Sequence, residues 1–492
     1  MPSQERIGYR VTPYRIAEVH VFDELGRQIL FNVEDSSVHL LDSFETEILS
    51  SCKKQGIKEA IKSFLKIYPL EKVAGAIDKL ENNGILLSEE PKAPTYQPIS
   101  NRVALTLNVT QSCNLRCRYC YVDKPLVDSE PVLMSQEVAK KAVDFALNES
   151  CYPEGIGISF YGGEPLLNFP VIKSTILYAN QKAESLGMPE IEFHMATNGT
   201  LLNEDMIDLI TKYKINVLFS IDGTPSVHDT MRIFPDGRGT HAIVLKNLKR
   251  LLSIKGEHQV SASAVVTNIN RLKTAYEYLS QFDLRDIKIS FVRYIEGCDF
   301  ALSAADSREY MKDMREIAKD CADKILSGTR PSYYEFETKM LQLWKRTKRQ
   351  YFCPAGIKRF GVAPNGDIYP CGPAAAMKKY KIGDVFTGLY KEKQGQLIQR
   401  ISIENRTECQ KCWARYLCAG GCFLPLVREC DKKCAMRLLS TELAIAIFAI
   451  VKEKTELLLA SLVDERFLSN VEKLISSIPS EDLQKSEEHI GS

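Results

Sequence analysis

Cys113-Asn-Leu-Arg-Cys117-Arg-Tyr-Cys120 sets three cysteines at C-x3-C-x2-C spacing directly after an apolar, strand-like run, Val103–Val109. A strand ending in a short loop can turn three sulfurs toward one point. Three thiolates are one fewer than a cubane 4Fe–4S cluster needs, and a cluster so held keeps one iron open to a small molecule. The competing readings are a zinc site or thiols with no special role. Zinc usually takes four ligands in paired C-x2-C units, and no fourth ligand lies nearby in the sequence. One strand later stands Tyr161-Gly-Gly-Glu-Pro165, whose glycines allow close approach of the backbone. Far downstream the cysteines return as Cys353-x12-Gly366-x4-Cys371, then Cys409-x2-Cys412-x5-Cys418-x3-Cys422, then Cys430 and Cys434. A zinc ribbon of Cys409/Cys412 and Cys418/Cys422 leaves Cys353, Cys371 and Cys434 unexplained.

The composition narrows the setting. There are 15 cysteines, an odd number, and six of them crowd between Cys409 and Cys434. Together with a polar N-terminus lacking an apolar signal-like run, this favours metal or cluster ligation in a reducing compartment over disulfides. The expected location is the cytoplasm. A formal net charge of +1 gives no electrostatic reason for nucleic-acid or membrane partners. The most apolar run, Leu443–Val451, is flanked by Glu442 and Lys452 and falls well short of the ~20 residues of a membrane span. It reads as a buried helix.

The elements that must carry these motifs follow from hydrophobic period. In residues 14–90, alternating runs at 16–22, 28–33 and 37–41 predict a three-stranded meander. Helical periods at 43–52, 57–67 and 70–82 and a short strand at 84–88 follow. The Pro-rich stretch 91–102 reads as a linker. From 103 to 300, strands at 103–109, 157–161, 192–196, 217–221, 260–266 and 288–292 alternate with amphipathic helical stretches. That order predicts a parallel sheet curled into part of a barrel. Active sites of such barrels lie at the C-terminal strand ends, where Cys113–Cys120, Gly162–Pro165, Thr197–Gly199 and Asp222-Gly223 all fall. Two helical stretches in 301–350 bridge to a cysteine-rich segment, 351–436. C-terminal helices (437–475) and a polar tail (476–492) complete the chain. Cys52 and Cys321 sit on helical stretches as core thiols, Cys151 has no motif partner, and Cys298 lies past the sixth strand.

The cysteine triad followed by Gly162-Gly-Glu-Pro165 resembles the radical S-adenosylmethionine (SAM) superfamily. There the open iron binds the methionine amine and carboxylate, and electron transfer cleaves SAM to a 5′-deoxyadenosyl radical. The resemblance implies a SAM-binding turn at Gly162, Gly163 and Glu164, with Glu164 accepting from the methionine ammonium. Asn198 is implied near SAM or its turn, Ser220 near the ribose or carboxylate, and Arg232 against an anionic group, a loop salt bridge being the equal alternative for Arg232. The later cysteines resemble a SPASM domain, which holds two auxiliary 4Fe–4S clusters. By that resemblance Cys353, Cys371 and Cys422 ligate the first, with an open iron that Cys430 could instead fill. Cys409, Cys412, Cys418 and Cys434 ligate the second.

The implied fold is α/β: a partial (β/α)6 TIM-like barrel with an N-terminal winged-helix-like, PqqD-like domain and a C-terminal SPASM domain. This combination resembles maturases of ribosomally made peptides, above all thioether-forming enzymes of the SCIFF or ranthipeptide type. The implied partners are a precursor peptide, whose leader residues 14–90 would bind, and an electron donor such as flavodoxin or ferredoxin. The implied cofactors are SAM and three 4Fe–4S clusters. Other peptide crosslinking, with fully ligated auxiliary clusters, is the alternative enzyme reading. A non-catalytic electron carrier or zinc-bearing scaffold is the alternative outside enzymes.

Overall fold

The computed structural model describes residues 15–88, 90, 93–100, 102–120, 132–150, 155–292, 300–424 and 431–452. Its centre is a run of six parallel strands: β6 (Val103–Thr110), β7 (Ile156–Gly162), β8 (Glu192–Thr197), β9 (Asn216–Ser220), β10 (Val260–Val266) and β11 (Ile287–Phe291). Each strand pairs with the one before it in sequence, so every crossover carries the chain one step along the curl. The strands form because apolar residues alternate along them: Val103, Leu105 and Leu107 in β6 and Ile156, Ile158 and Phe160 in β7 are buried. The helices between them are opened by local chemistry. Ser135 accepts from the Val138 N–H and Asn203 from the Met206 N–H, each taking up one otherwise unpaired donor of the first turn. All six strands therefore deliver their C-terminal loops to one end, as the sequence predicts.

The sheet does not stop at β6. β12 (Arg359–Val362) lies parallel to β6 on its free side. β13 (Asp367–Tyr369), β14 (Gly383–Asp384) and β15 (Gly388–Leu389) continue it antiparallel, making ten strands. Sequence reasoning reads 351–436 as a unit of its own, yet its first hairpin completes the barrel sheet. The join is packed by Phe360, fully buried and edge-on to Phe145 at 5.2 Å. It is tied by the Asn108 side-chain amide, which donates to the carbonyls of Val362 and Gly372. Cys371, between Tyr369 and Gly372, is thereby fixed to the strand that launches Cys113.

The N-terminal unit has the predicted meander, β2 (Val19–Glu24), β3 (Arg27–Asn32) and β4 (Val38–Leu40). Helices Ser43–Gln55, Ile57–Leu65 and Leu70–Asn82 follow, and β5 (Leu86–Leu87) closes on β1 (Arg15–Ile16). A capping box between Asp42 and Glu45 starts its first helix. Its two faces serve two cores. Leu30 packs inward with Ile48, Leu49, Val73 and Leu80, while Ile29, Phe31 and Val33 join the main core of the molecule.

What those outward residues meet is the long helix Asp431–Val451, which packs against β2, β3 and β4 on one side. On the other it meets the bridging helices Ala304–Leu326 and Tyr334–Trp344. The apolar run read as a buried helix is that: Leu443, Ala444, Ile445, Ala446, Ile447 and Ala449 have no exposed surface. The stretch Cys434–Val451 is long and apolar enough to cross a membrane by composition, but 67% of it is buried inside the fold. Polar contacts lock the same interface. The His20 ring stacks on Trp413 at 3.8 Å and its Nε2 lies 2.8 Å from Glu442 Oε1; Glu18 pairs with Arg415, and Glu24 with Arg315 at 2.7 Å.

Candidate active site

The cysteine loop is held from three sides. On the first, the Gly162–Glu164 turn runs against the segment just before Cys113: the Gly163 N–H donates to Thr110 O at 3.0 Å and the Glu164 N–H to Ser112 O at 2.9 Å. The strands approach so closely that a Cβ on Gly162 would stand 2.1 Å from Thr110 O, and one on Gly163 2.1 Å from Ser112 O. The immediate physical reason for two glycines is this contact between strand ends.

Glu164 is the second tie. Sequence reasoning assigns its carboxylate or backbone to a ligand ammonium, but the side chain is fully enclosed. One oxygen accepts from Thr197 Oγ1 at 2.7 Å and Leu166 N at 3.1 Å, the other from Asn198 N at 2.7 Å. It therefore clamps the turn after β7 to the turn after β8. Asn198, so fixed, donates from Nδ2 to Asn114 Oδ1 at 2.9 Å and points toward Cys113 Sγ at 3.9 Å. Of the two roles read for Asn198, turn-shaping is the one these contacts describe, extended to the neighbourhood of a cysteine sulfur.

Burial pushes the pKa of Glu164 up to about 7 against the pull of its donors. A carboxyl whose folded pKa lies above its unfolded value contributes stability that is fully present below the unfolded value of 4.5 and is lost as pH rises through about 7. Glu164→Gln, which cannot ionise, should flatten the fall in melting temperature across that window, as calorimetry at a series of pH values would read. An equally steep fall in the variant would contradict this assignment.

The third side is a buried ion pair that sequence reasoning only half anticipates. Arg232, read as facing an anionic group, meets Asp222 within the protein: Nε lies 3.1 Å from Oδ2, and the Asp222 side chain is 1% exposed. Tyr119, next to Cys120, donates to the same Oδ2 at 2.6 Å, and its ring lies 5.4 Å from the guanidinium. Asp222 Oδ1 accepts from the Val265 N–H. His228 accepts at Nδ1 from the Asp222 N–H, and its Nε2 lies 2.9 Å from Thr240 Oγ1, which itself donates to Arg232 O. That network assigns the proton to Nε2, and burial lowers the His228 pKa to about 2, so the ring is neutral. The cysteine loop backbone is also pinned here, Arg116 N to Ile233 O and Arg118 N to Met231 O. Ser220 ends β9 beside this network, half-buried.

The sulfurs fall into three groups, set by which of them lie close enough to act on one another electrostatically. Cys113, Cys117 and Cys120 form one. Cys353, Cys371 and Cys422 form a second, and Cys409, Cys412, Cys418 and Cys434 a third. These are the sets the resemblance implies. None of the ten is buried, unlike Cys52 and Cys321, which are core thiols as expected. Cys151, Cys298 and Cys430 lie outside the described residues. Among the described residues no three His, Cys, Asp or Glu side chains converge tightly enough to hold one metal ion. A 4Fe–4S cluster takes its thiolates one to each iron, so they need not converge on one point as the ligands of a single zinc do, with bonds to sulfur of about 2.3 Å. Three arginines that sequence reasoning passes over attend the two later groups: Arg359 by Cys353 and Cys371, Arg406 by Cys409, and Arg349 by Cys353 and Cys418. Their only sequence signal is basic residues interleaved with the cysteines.

Comparison with known proteins gives the following. The Radical SAM superfamily pattern matches residues 107–270. An uncharacterized protein of Methanocaldococcus jannaschii is 30% identical over 270 residues, which is 54% of this chain and 84% of that protein. The cysteine-type anaerobic sulfatase-maturating enzyme of Clostridium perfringens is 24% identical over 336 residues, covering 64% and 86%. The antilisterial bacteriocin subtilosin biosynthesis protein AlbA of Bacillus subtilis is 25% identical over 293 residues, covering 58% of each. The solved structure of native anSMEcpe with bound AdoMet shares the fold, with TM-score 0.59, 21% identity, and coverage of 71% of this chain and 98% of that one.

Proposed function

Because this chain belongs to the radical SAM superfamily, we propose that it installs thioether crosslinks, cysteine sulfur to carbon, in a ribosomally made precursor peptide. Its relatives include enzymes named for sulfatase maturation and bacteriocin biosynthesis, so a peptide or protein is the substrate class. The observation that carries the finer reading is the asymmetry between the two C-terminal sulfur groups. Among the described residues one group has four cysteines and the other only Cys353, Cys371 and Cys422. With Cys430 outside the described residues, we assign the fourth position of this group to a sulfur from the precursor rather than to Cys430.

The residues divide the work. Cys113, Cys117 and Cys120 would hold the SAM-binding cluster, Cys353, Cys371 and Cys422 the first auxiliary cluster, and the remaining four the second. When bound and reduced, the cluster held by Cys113, Cys117 and Cys120 would supply the electron for SAM cleavage and so the means of hydrogen-atom abstraction from a peptide carbon. Glu164 and Asn198 hold two strand-end turns against the cysteine loop, so the cofactor site is rigid before substrate arrives. With the Glu164 carboxylate enclosed, the main chain of the Gly162–Glu164 turn is left to meet a ligand ammonium. Burial pushes the thiols of Cys353 and Cys371 up, and the positive charge of Arg359 opposes that rise; the same charge would favour the thiolate form of an incoming cysteine. Residues 14–90 would hold the leader, leaving the core segment to enter the barrel mouth. Joining sulfur to carbon would remove one hydrogen atom from the carbon, one proton from the thiol and one electron, which clusters held by the auxiliary cysteines would be placed to receive.

The test is mass spectrometry of a cysteine-containing precursor encoded beside this gene, after anaerobic reaction and treatment with iodoacetamide. A thioether leaves the peptide two hydrogen atoms lighter, with the joined cysteine unalkylated. A carbon–carbon crosslink loses the same hydrogens but leaves every thiol alkylated, and an aldehyde product has lost the sulfur. Either of the latter two would overturn the thioether reading.

A further inference from the structure

Arg349 stands between the helix Tyr334–Trp344 and Cys353, and its hydrogen bonds reach two separate sulfur groups. Its backbone N–H donates to Tyr416 O at 3.1 Å. Its Nη1 donates to Phe352 O at 3.4 Å and its Nη2 to Leu417 O. Phe352 and Leu417 are the residues immediately before Cys353 and Cys418. One guanidinium therefore holds the backbone entering a cysteine of each C-terminal group.

The charge itself is unusually placed. Nε is enclosed and finds no hydrogen-bond partner among the described residues. The thiols of Cys418 and Cys353, once ionised, would act electrostatically on Arg349. Arg349 is half-buried, so its charge is only partly withdrawn from water; that part is costly unless an anion compensates it, and guanidinium does not escape by losing its proton. The compensating anions at hand are the two thiolate groups and whatever metal core they bear. Arg359 acts on Cys353 and Cys371 of the first group, and Arg406 acts on Cys409 of the second. Arg349 spans both.

We infer that Arg349 is a shared positioning residue of the two C-terminal sulfur groups, a fixed positive charge that raises the reduction potentials of both clusters together. An added electron makes each cluster more negative, so a nearby cation stabilises the reduced form of each. The inference rests on the reading that both groups carry iron–sulfur clusters.

The experiment is a redox titration, followed by electron paramagnetic resonance, of anaerobically reconstituted full-length protein. In Arg349→Gln both auxiliary midpoints should become more negative, each by about tenfold in the reduction equilibrium, or about 59 mV for a one-electron couple. Arg349→Lys should recover much of the shift, Arg359→Gln should move only the first group, and the Cys113–Cys120 cluster should not move. Auxiliary signals that are present but unmoved in Arg349→Gln, or a shift in one group alone, overturn the inference. Wild-type protein with no auxiliary signals overturns the underlying reading instead. Should Arg349→Gln bind less iron, a deficit in both groups that lysine restores at least in part supports the inference. A deficit in one group, or one that lysine leaves unchanged, counts against it.

Discussion

Cys117→Ala should abolish the reductive cleavage of SAM, lowering deoxyadenosine formation by roughly a thousandfold or more, while the protein still folds and, on the proposed reading, still takes up iron at its C-terminal groups. The expectation follows from position. Cys117 lies midway along a loop whose backbone is pinned at Arg116 and Arg118 to the segment after Met231, so no other cysteine of the described chain can swing in to replace it. The loop's shape is set by Glu164, Asn198 and Tyr119 rather than by the thiol, so the substitution removes a ligand and little else. Iron analysis should fall by about four atoms per chain, and chromatography of the reaction should recover SAM intact. Persistent cleavage at wild-type rate would mean that the triad is not the SAM site.

Arg232→Met should be the most damaging single change to stability in the barrel, costing about 3–5 kcal/mol because it strands a buried carboxylate. Asp222 has almost no exposed surface, and its strongest neighbouring cation is Arg232. The Tyr119 hydroxyl and the Val265 N–H remain as donors, so the lower part of that range is the better expectation. Pairing the change with Asp222→Asn removes the stranded charge and should recover a large part of the loss. Urea denaturation of the single and double variants reads both quantities. If the two single losses simply add in the double variant, the pair is not coupled as described. Because Tyr119 shares Asp222, the single variant should also loosen the cysteine loop and weaken SAM binding.

The sequence made the barrel and the cysteine groups legible for a physical reason: both are local patterns. Strands such as Val103–Thr110 announce themselves by apolar alternation, and C-x2-C spacing reports sulfurs that can meet. The grouping of Cys422 with Cys353 and Cys371 was reached through family likeness, since nothing in the spacing separates Cys422 from Cys418. What escaped was everything made by tertiary approach. The pairing of β12 with β6 joins residues some 250 apart in the chain, and neither strand carries a mark of the other. Glu164 reads as a ligand-facing acid because its turn is Gly-rich, but two of its three donors come from the end of β8 and the third from its own turn. Arg232 reads equally as anion-binding or as a salt bridge until Asp222 is seen beneath it. The N-terminal unit was visible as a meander with three helices. Its anchorage through His20 on Trp413 was not, because stacking leaves no periodic trace.

The most direct test is the metal and product balance of the wild-type chain, reconstituted anaerobically with iron and sulfide and then given SAM with and without a strong reductant. Three loaded groups predict about twelve irons per chain and deoxyadenosine that forms only when the reductant is present. A colourless preparation that takes up zinc alone and returns SAM unchanged under reduction would contradict the account.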